Sequence, residues 1–347
     1  MKTFKLPKRN LEQFLGSLTQ YGELHVPQKR GEKSYVFSKY ENFESTELNY
    51  PRTILPLKKY FYEPKKTLFK FSEEEGYTLD LESVDKKYVI FGVHPYDIKA
   101  LKLFDTVFEG EYYDSHYFDM RKNVAIIGID HIPDELCFSA SVDADFVNDG
   151  FDLFLYDIDD YYVVKIGTSL GYDMVNEVND LFEAMDKQSK DDFSKKIKDI
   201  KNQFEKSLDT TELSLLLDIN RESEVWKEIG DKCLSCGACS VVCPTCYCYN
   251  VFDEVNLLDV KNGERKREWD SCLFKDHSLM AGGLNPRGDR PSRIRNRIYH
   301  KFYGFLGVYS KISCVGCGRC TEVCPAGIDF IDAIKKVKGE DNGSSKK

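Results

Sequence analysis

The most informative stretch of this chain is CLSCGACSVVCP, at residues 233–244. Its four cysteines are spaced C-x2-C-x2-C-x3-C and are followed by proline, and the same spacing returns in CVGCGRCTEVCP at residues 314–325. In two-cluster ferredoxins this pattern holds [4Fe-4S] clusters, because three cysteines of a motif bind one cluster and the fourth binds the other. The repeat therefore predicts a domain built around two such clusters.

The two motifs also predict how the clusters share their ligands. Three closely spaced cysteines on one loop can reach three iron corners of a cubane, so the fourth thiolate comes from the other motif. The predicted ligands of the first cluster are Cys233, Cys236, Cys239 and Cys324, and those of the second are Cys314, Cys317, Cys320 and Cys243. The proline after each fourth cysteine suits the first turn of a helix that leads the chain away from the cluster.

Two other kinds of site use similar spacings. Paired C-x2-C units also build four-cysteine zinc sites, but zinc does not account for the third cysteine and the Cys-Pro pair in both motifs. Cys239, Cys243 and Cys246 also form C-x3-C-x2-C, the spacing of radical enzymes that use S-adenosylmethionine. Because the repeat already employs Cys239 and Cys243, we favour the two-cluster interpretation.

Three further cysteines lie between the motifs: Cys246, Cys248 and Cys272. They could hold a third [4Fe-4S] cluster with Asp270 or His277 as the fourth ligand, because a carboxylate or an imidazole can replace one thiolate. Alternatively, they are buried thiols packed around the other two clusters, as free cysteines commonly are. The sequence leaves both interpretations open.

A basic stretch precedes the second motif. Its members are Arg287, Arg290, Arg293, Arg295, Arg297 and Lys301. They could dock an acidic partner or offset the negative charge of thiolate-bound clusters. Alternatively, they form a solvated helix face whose long stems cover apolar surface.

Hydrophobic patterns predict an α+β, multi-domain chain. Upstream of the cysteines, apolar runs at 88–93, 124–129, 151–156 and 161–166 and helical periodicity at 96–108 predict an α/β domain over 1–186, to which we assign partner docking. The charged stretch 187–211 is expected to be a helical connector, and 339–347 a flexible tail. The 70 residues between the motifs are too many for a compact bacterial ferredoxin, so we expect an α-helical ferredoxin domain over 212–338.

Composition and charge indicate the cellular compartment and the kinds of partner to expect. A disulfide framework is typical of short exported chains, whereas this chain has 347 residues and only Cys137 precedes Cys233. The first residues lack the apolar segment of a signal peptide, and no run approaches the ~20 apolar residues of a membrane span. The net charge of −9 argues against nucleic acid as the main partner. We therefore expect a cytoplasmic protein.

The α/β domain carries few residues that suggest chemistry. No G-x-G-x-x-G follows a predicted strand, so a nicotinamide or flavin site of the Rossmann kind is not predicted. His94 and Asp97 follow a strand end, where open α/β sheets often bind ligands; we interpret His94 as a turn residue and Asp97 as a helix cap or a partner contact. Cys137 is interpreted as an inert buried thiol. The clusters would then carry electrons without a substrate site in this chain.

Several segments together resemble a known family. CPTCYC at 243–248, WDSC at 269–272, AGG at 281–283 and the second motif are similar to the dicluster iron-sulfur subunits of two complexes. These complexes are the cytoplasmic nickel-iron sulfhydrogenases, through their beta subunit, and anaerobic sulfite reductase, through its dicluster subunit. GVHPYDIKAL at 92–101 favours the hydrogenase side and extends the resemblance over most of the chain. A departure occurs at residues 137–139, Cys-Phe-Ser, where the family pattern leads us to expect a second cysteine.

The resemblance implies a function for the whole chain. In both complexes such a subunit relays electrons between a flavin-containing partner, which reacts with NAD(P)H, and a catalytic subunit. The leading hypothesis is a hydrogenase-type complex, and the same role in sulfite reduction is the alternative. In either complex the chain is a non-catalytic iron-sulfur subunit, so no catalytic residue is predicted. A stand-alone oxidoreductase is the third hypothesis.

Overall fold

The computed structural model describes residues 2–74, 76–79 and 86–340. The strands are β1 (Thr3–Pro7), β2 (Glu23–Arg30), β3 (Ser34–Lys39), β4 (Lys65–Ser72), β5 (Gly76–Leu79), β6 (Tyr88–Val93), β7 (Val124–Ile129), β8 (Leu153–Ile158), β9 (Tyr161–Ile166), β10 (Glu183–Ala184), β11 (Tyr249–Asn256) and β12 (Asp259–Trp269). The helices are α1 (Leu11–Leu18), α2 (Pro95–Phe108), α3 (Ser115–Lys122), α4 (Ser169–Glu177), α5 (Lys187–Lys201), α6 (Leu213–Ile219), α7 (Val225–Lys232), α8 (Ala238–Val241), α9 (Arg290–Phe302), α10 (Gly304–Tyr309), α11 (Arg319–Glu322) and α12 (Phe330–Lys338). They form two compact units, Met1–Tyr62 with Leu81–Ser207 and Glu63–Asp80 with Leu208–Lys347.

The first unit is built on an eight-stranded sheet in the order β10-β1-β9-β8-β7-β6-β2-β3. The central strands β2, β6, β7 and β8 run parallel, and the flanking pairs are antiparallel. Every residue of β7 is buried, as expected for a central parallel strand covered on both faces. Phe14, Leu15, Val89, Ile127 and Leu155 are fully buried in the core on one face of this sheet.

The local patterns predicted most of these strands. The strands expected at 88–93, 124–129 and 161–166 are confirmed with the same bounds, while β8 spans Leu153–Ile158. The turn between β8 and β9 therefore lies at Asp159 and Asp160, where Asp159 has a φ of +48°. Helix α2 begins at Pro95, directly after β6, because proline is preorganised for a first helical turn.

Helix α5 occupies most of the stretch that the sequence analysis treated as a connector. Its N-cap is Asp186, whose side chain accepts a hydrogen bond from the Ser189 amide. Lys196 Nζ lies 3.1 Å from the carboxylate of Asp130, which follows β7. The helix therefore packs within the first unit, on its sheet.

The second unit contains an antiparallel sheet that the sequence analysis did not predict. Its order is β11-β12-β4-β5, so the hairpin of β4 and β5 joins strands from the segment between the cysteine motifs. Strand β4 pairs with β12, for example Phe71 with Gly263 and Lys65 with Glu268. The expectation of an α-helical ferredoxin domain over 212–338 is therefore wrong for the hairpin of β11 and β12. The pairing of β12 with β4 joins strands so distant in sequence that it leaves no local signal.

Helices α7 and α9 position the first motif. A Cβ at Gly230 of α7 would lie 2.6 Å from the Pro291 Cα of α9, so glycine permits the close approach of the two helices. Trp226 donates an indole hydrogen bond of 2.9 Å to the Asn220 carbonyl and stacks edge-on against Tyr299 of α9. Helix α7 ends at Lys232, and the motif follows at once. Residues 341–347 of the expected tail lie outside the described residues.

Candidate [4Fe-4S] sites

The two cysteine motifs repeat in conformation as well as in sequence. The residue before the second cysteine has a positive φ in both motifs, +53° at Ser235 and +65° at Gly316. The residue after it does too, +75° at Gly237 and +77° at Gly318, and each of these glycines caps a one-turn helix, α8 or α11. The same backbone path therefore presents three cysteines in each motif.

Backbone amides point at the sulfur atoms of these loops. Ser235 N–H donates to Cys233 Sγ at 3.4 Å, and Gly316 N–H donates to Cys314 Sγ at 3.5 Å, at equivalent positions of the repeat. Ile328 N–H donates to Cys324 Sγ at 3.3 Å. Such hydrogen bonds stabilise the thiolate that binds iron and tune the reduction potential of a cluster.

The first cavity is lined by cysteines from both motifs. Its accessible volume is about 30 Å³. The cysteines in its wall are Cys233, Cys236, Cys239, Cys320 and Cys324. Apolar side chains complete the wall, among them Leu273, Ile294 and Phe330. All four predicted ligands of the first cluster thus lie around one water-poor space, together with Cys320 of the other set.

The predicted ligands of the second cluster also lie near one another. Cys314, Cys317 and Cys243 are all within electrostatic range of Cys320. Thr245 links the end of the first motif to the start of the second, because its Oγ1 lies 3.4 Å from Cys243 Sγ and donates a 2.6 Å hydrogen bond to the Ser313 carbonyl.

The three remaining cysteines surround a second cavity, with an accessible volume of about 10 Å³. Its wall is formed by Thr245, Cys246, Tyr247, Cys248, Cys272, Arg297, His300, Lys301 and Ser313. The interaction between the Cys248 and Cys272 thiols lowers the pKa of Cys248 and raises that of Cys272. Interaction with Cys243 raises the pKa of Cys246, so Cys246 also lies near the predicted second cluster set.

Asp270 and His277 are close to this cavity but do not line it. The Asp270 carboxylate is hydrogen-bonded to His277 Nδ1, and the Asp270 amide donates to the Cys248 carbonyl at 3.0 Å. The structure therefore brings together the three cysteines, and it places the two proposed fourth ligands beside them as a mutual pair.

Buried cations of α9 face the cysteines. Arg293, Arg297 and Lys301 are 5%, 2% and 6% exposed, so the interpretation of the whole basic stretch as a solvated helix face is wrong for these three. Lys301 Nζ donates to the Thr245 carbonyl at 3.0 Å and to Thr245 Oγ1 at 2.7 Å. Arg290 at the start of the helix donates to the Cys233 carbonyl at 3.2 Å. Positive charge thus lies where thiolate-bound clusters would place negative charge.

Burial opposes ionisation of the thiols themselves. It raises the pKa of Cys239 to about 11 and that of Cys314 to about 12, and it also raises the pKa of Cys320. Arg297 acts in the opposite direction at Cys239 and Cys320, and Lys301 does so at Cys314. The thiolates that iron requires therefore depend on nearby positive charge, from these side chains and from the iron atoms.

The donor set fits iron-sulfur clusters. In the part of the chain that the structure describes, no group of three or more His, Cys, Asp or Glu side chains is arranged to hold a single metal ion. A [4Fe-4S] cluster bonds its four ligands through different iron atoms, so its cysteines surround a space instead of converging on a point. The cysteines of both motifs that surround the first cavity, with amide N–H groups donating to the sulfur atoms of Cys233 and Cys324, meet that requirement.

The sequence predicted positive charge near the clusters, but it did not indicate which cations are buried or any role for Thr245. The spacing of Arg293, Arg297 and Lys301 by four residues, next to Ile294 and Ile298, could have indicated a buried helix face. Thr245 carried no comparable signal, because its partners Ser313 and Lys301 are distant in sequence.

The residues noted in the α/β unit form a buried cluster. His94 is 1% exposed, its Nδ1 lies 2.7 Å from Tyr96 Oη, and its ring stacks on His131 with centroids 4.8 Å apart. Cys137 is buried, with Sγ 3.7 Å from His131 Nε2 and 3.5 Å from Ser139 Oγ. At residues 137–139, where the family pattern led us to expect a second cysteine, the Ser139 hydroxyl thus contacts the Cys137 thiol.

The comparisons with known proteins match this geometry. A family described as "4Fe-4S dicluster domain" matches residues 232–328, which contain the eleven cysteines of the second unit. Over its whole length the chain is similar to sulfhydrogenase 2 subunit beta of Pyrococcus furiosus, with 37% identity over 338 residues, 97% of this chain and 99% of the relative. Among the described residues, no helix is both long and apolar enough to span a membrane. The resemblance to hydrogenase subunits is thus confirmed, and the chain belongs to the family of sulfhydrogenase beta subunits, iron-sulfur proteins with a [4Fe-4S] domain.

Proposed function

We propose that this chain relays single electrons between a flavin-containing subunit that reacts with NAD(P)H and a catalytic subunit of a cytoplasmic nickel-iron hydrogenase. The observation that carries the proposal is the first cavity, where Cys324 of the second motif joins Cys233, Cys236 and Cys239 of the first. The relative in Pyrococcus furiosus is named as a subunit, which supports a role inside a larger complex.

This arrangement supports the ligand sets that we propose. Cys233, Cys236, Cys239 and Cys324 hold one [4Fe-4S] cluster, and Cys314, Cys317, Cys320 and Cys243 hold another. Each cluster, when bound, stores and releases one electron at a time. The protein fixes the thiolates on two loops of the same conformation, donates amide N–H groups to their sulfur atoms and excludes water with apolar side chains.

A third cluster held by Cys246, Cys248 and Cys272 is part of the proposal, with Asp270 or His277 as its fourth ligand. The cavity that the three cysteines share supports it. If His277 binds iron through Nε2, its Nδ1–H can keep the hydrogen bond to Asp270, as metal-bound histidines commonly do. Buried thiols without a cluster are the alternative.

The first unit is proposed to dock partners. Its single cysteine, Cys137, is buried and cannot provide a set of thiolate ligands. Hydrogen exchange of the free chain and of the assembled complex tests this role. Protection on assembly should appear in the first unit, and an unchanged exchange pattern there would contradict it.

The decisive experiment is anaerobic purification of the full chain followed by iron and sulfide analysis. We expect brown protein with about eight irons per chain from two clusters, or about twelve from three, given four irons per cluster. The chain should reduce and oxidise viologen dyes but should turn over neither hydrogen nor sulfite. Colourless protein containing zinc would overturn the cluster assignment, and turnover by the isolated chain would favour a stand-alone enzyme.

Partners found on purification from the native cell separate the two complexes. A nickel-iron catalytic subunit is expected, and a sirohaem-containing reductase would instead support the role of the dicluster subunit of anaerobic sulfite reductase. For the third cluster the test is iron counting on Cys272→Ala, with Cys137→Ala as the control. Loss of about four irons is expected in the first variant alone, and undiminished iron would reject the third cluster.

A further inference from the structure

Arg297 lies at the centre of the cysteine-rich region. It belongs to α9, whose N-cap Asp289 accepts a 2.7 Å hydrogen bond from the Ser292 amide. Its side chain is 2% exposed, which is rare for arginine and implies that the surroundings compensate its charge.

The neighbours of Arg297 come from all three cysteine sets. Its Nη2 donates to the Cys239 carbonyl at 3.2 Å, and its guanidinium lies over the Phe330 ring at 5.4 Å from the centroid. Burial alone would lower its pKa, but the pKa is raised well above its usual value by cysteines that belong to different proposed clusters. They are Cys239 of the first set, Cys243 of the second, and Cys246 and Cys272 of the third.

Two donors of Arg297 are left over. Among the described residues, neither its Nε nor its Nη1 has a hydrogen-bond partner, although both are buried. Leaving a buried donor unpaired costs about 1–3 kcal/mol, and more for a charged group. Arg297 lines the cavity of Cys246, Cys248 and Cys272. A cluster bound there would place sulfur atoms near these two N–H donors, and sulfur atoms can accept their hydrogen bonds.

Lys301 differs from Arg297 in this respect. One turn along α9, its ammonium donates to both the carbonyl and the hydroxyl of Thr245. It therefore adds positive charge beside the sites while its hydrogen bonds hold the protein backbone. Of these two cations, Arg297 is therefore the one with N–H donors that could bond to a cluster.

We propose that Arg297 is a positioning residue of the relay: it donates N–H···S hydrogen bonds to the clusters around it and raises their reduction potentials together. This inference rests on the proposed function. Reduction adds one negative charge to a cluster, and a nearby guanidinium stabilises that charge more strongly in a water-poor interior than in water. Because one side chain serves several sites, its removal shifts more than one potential.

The test is a potentiometric titration of the full chain, followed by electron paramagnetic resonance. Arg297→Met keeps an apolar stem but removes the charge and all donors, whereas Arg297→Lys keeps the charge and loses the planar fork. The matched control is Arg295→Met, on the same helix, because Arg295 donates instead to the Arg221 carbonyl at 2.7 Å.

We expect wild-type iron in all three variants. The potentials of at least two clusters should become more negative in Arg297→Met and by a smaller amount in Arg297→Lys, and they should stay unchanged in Arg295→Met. Pulsed electron-nuclear double resonance in deuterated water should show exchangeable couplings that Arg297→Met loses. Wild-type potentials in an iron-replete Arg297→Met would overturn the inference.

If Arg297→Met cannot retain iron, Arg297→Lys decides the matter. Unchanged potentials and unchanged exchangeable couplings in that variant would then reject the hydrogen-bonding role. Absence of iron from the wild-type protein would instead contradict the proposed function, so the two failures are distinguishable.

Discussion

Cys233 and Cys324 line the same cavity although they belong to different motifs. If each cluster takes its fourth thiolate from the other motif, as we propose, the two loops are interdependent. In the proposed arrangement, each motif supplies one ligand to the cluster that the other motif mainly holds. Replacing that cysteine should therefore disturb the cluster of the other motif.

The first prediction tests this cross-pairing by spectroscopic grouping. Cys324→Ala should lose or distort the same cluster as Cys233→Ala, and Cys243→Ala should match Cys314→Ala, because each pair shares a cluster. The measurement is electron paramagnetic resonance of the reduced proteins together with iron analysis, with a loss of up to about four irons per variant. A spectrum of Cys324→Ala that matches Cys314→Ala would mean that each motif keeps its own fourth cysteine.

The second prediction concerns the loop glycine of the first motif. An added Cβ at Gly237, where φ is +75°, would lie 2.5 Å from the Phe274 ring. Gly282, with a φ of +85°, has nothing within 4 Å of an added Cβ. Both alanine variants meet the cost of a left-handed residue, about 1–2 kcal/mol, but only Gly237→Ala also displaces a ring.

Thermal unfolding and the rate of iron loss to a chelator compare these two variants. Gly237→Ala should be the less stable and should lose iron faster than Gly282→Ala. Phe274→Ala in the Gly237→Ala background should restore part of the difference, because it removes the steric partner. Equal behaviour of the two glycine variants would show that the contact with Phe274 does not matter.

The sequence predicted elements whose signals are local. Strand β7 could be predicted because a strand buried on both faces is a continuous apolar run, which is visible in the sequence without knowledge of its partner strands. The pairing of β4 with β12 could not be read in this way, because the register of Phe71 with Gly263 joins distant parts of the chain. The eight repeated cysteines were equally readable, since their spacing alone encodes the loop.

What surrounds the cysteines was harder to predict. Arg297 and Arg295 are two positions apart in one basic stretch, yet the first is buried among thiols and the second bonds to the Arg221 carbonyl. Helical geometry separates them by about 200°, from 3.6 residues per turn. The face that each occupies depends on which side of α9 meets the cysteine loops, and that is a property of the packed structure.

The third prediction concerns the Thr245 hydroxyl. Thr245→Val keeps the shape of the side chain but removes the hydroxyl, which donates a hydrogen bond to the Ser313 carbonyl and accepts one from the Lys301 ammonium. Leaving these partners unsatisfied should lower the free energy of unfolding by about 1–3 kcal/mol. The exposed Thr19, whose hydroxyl bonds to the Gly16 carbonyl, provides the control Thr19→Val.

Hydrogen exchange around residues 300–314 measures this effect. Amide protection there should fall in Thr245→Val and should stay unchanged in Thr19→Val. Protection equal to that of the wild-type protein in Thr245→Val would show that the hydroxyl does not hold the two motifs together.

The fourth prediction concerns acid sensitivity of the first unit. Burial, and to a smaller extent the nearby Arg52, lowers the pKa of His131 from 6.5 to about 3. The unfolded chain therefore binds a proton below about pH 6.5 that the folded unit excludes until about pH 3, so stability falls as the pH drops through this window. At pH 5 the loss from this one group should be about 2 kcal/mol, at 1.36 kcal/mol per pKa unit.

His131→Phe should remove this contribution. The phenyl ring can keep the stacking against His94 but cannot take up a proton, so the stability of the variant should fall less than that of the wild-type protein between pH 7 and pH 5. Native-state hydrogen exchange of β6 and β7, corrected for the intrinsic pH dependence of exchange, measures the difference. The same decline with pH in both proteins would mean that His131 is already protonated in the folded unit at pH 5, contrary to its burial against His94 and Cys137.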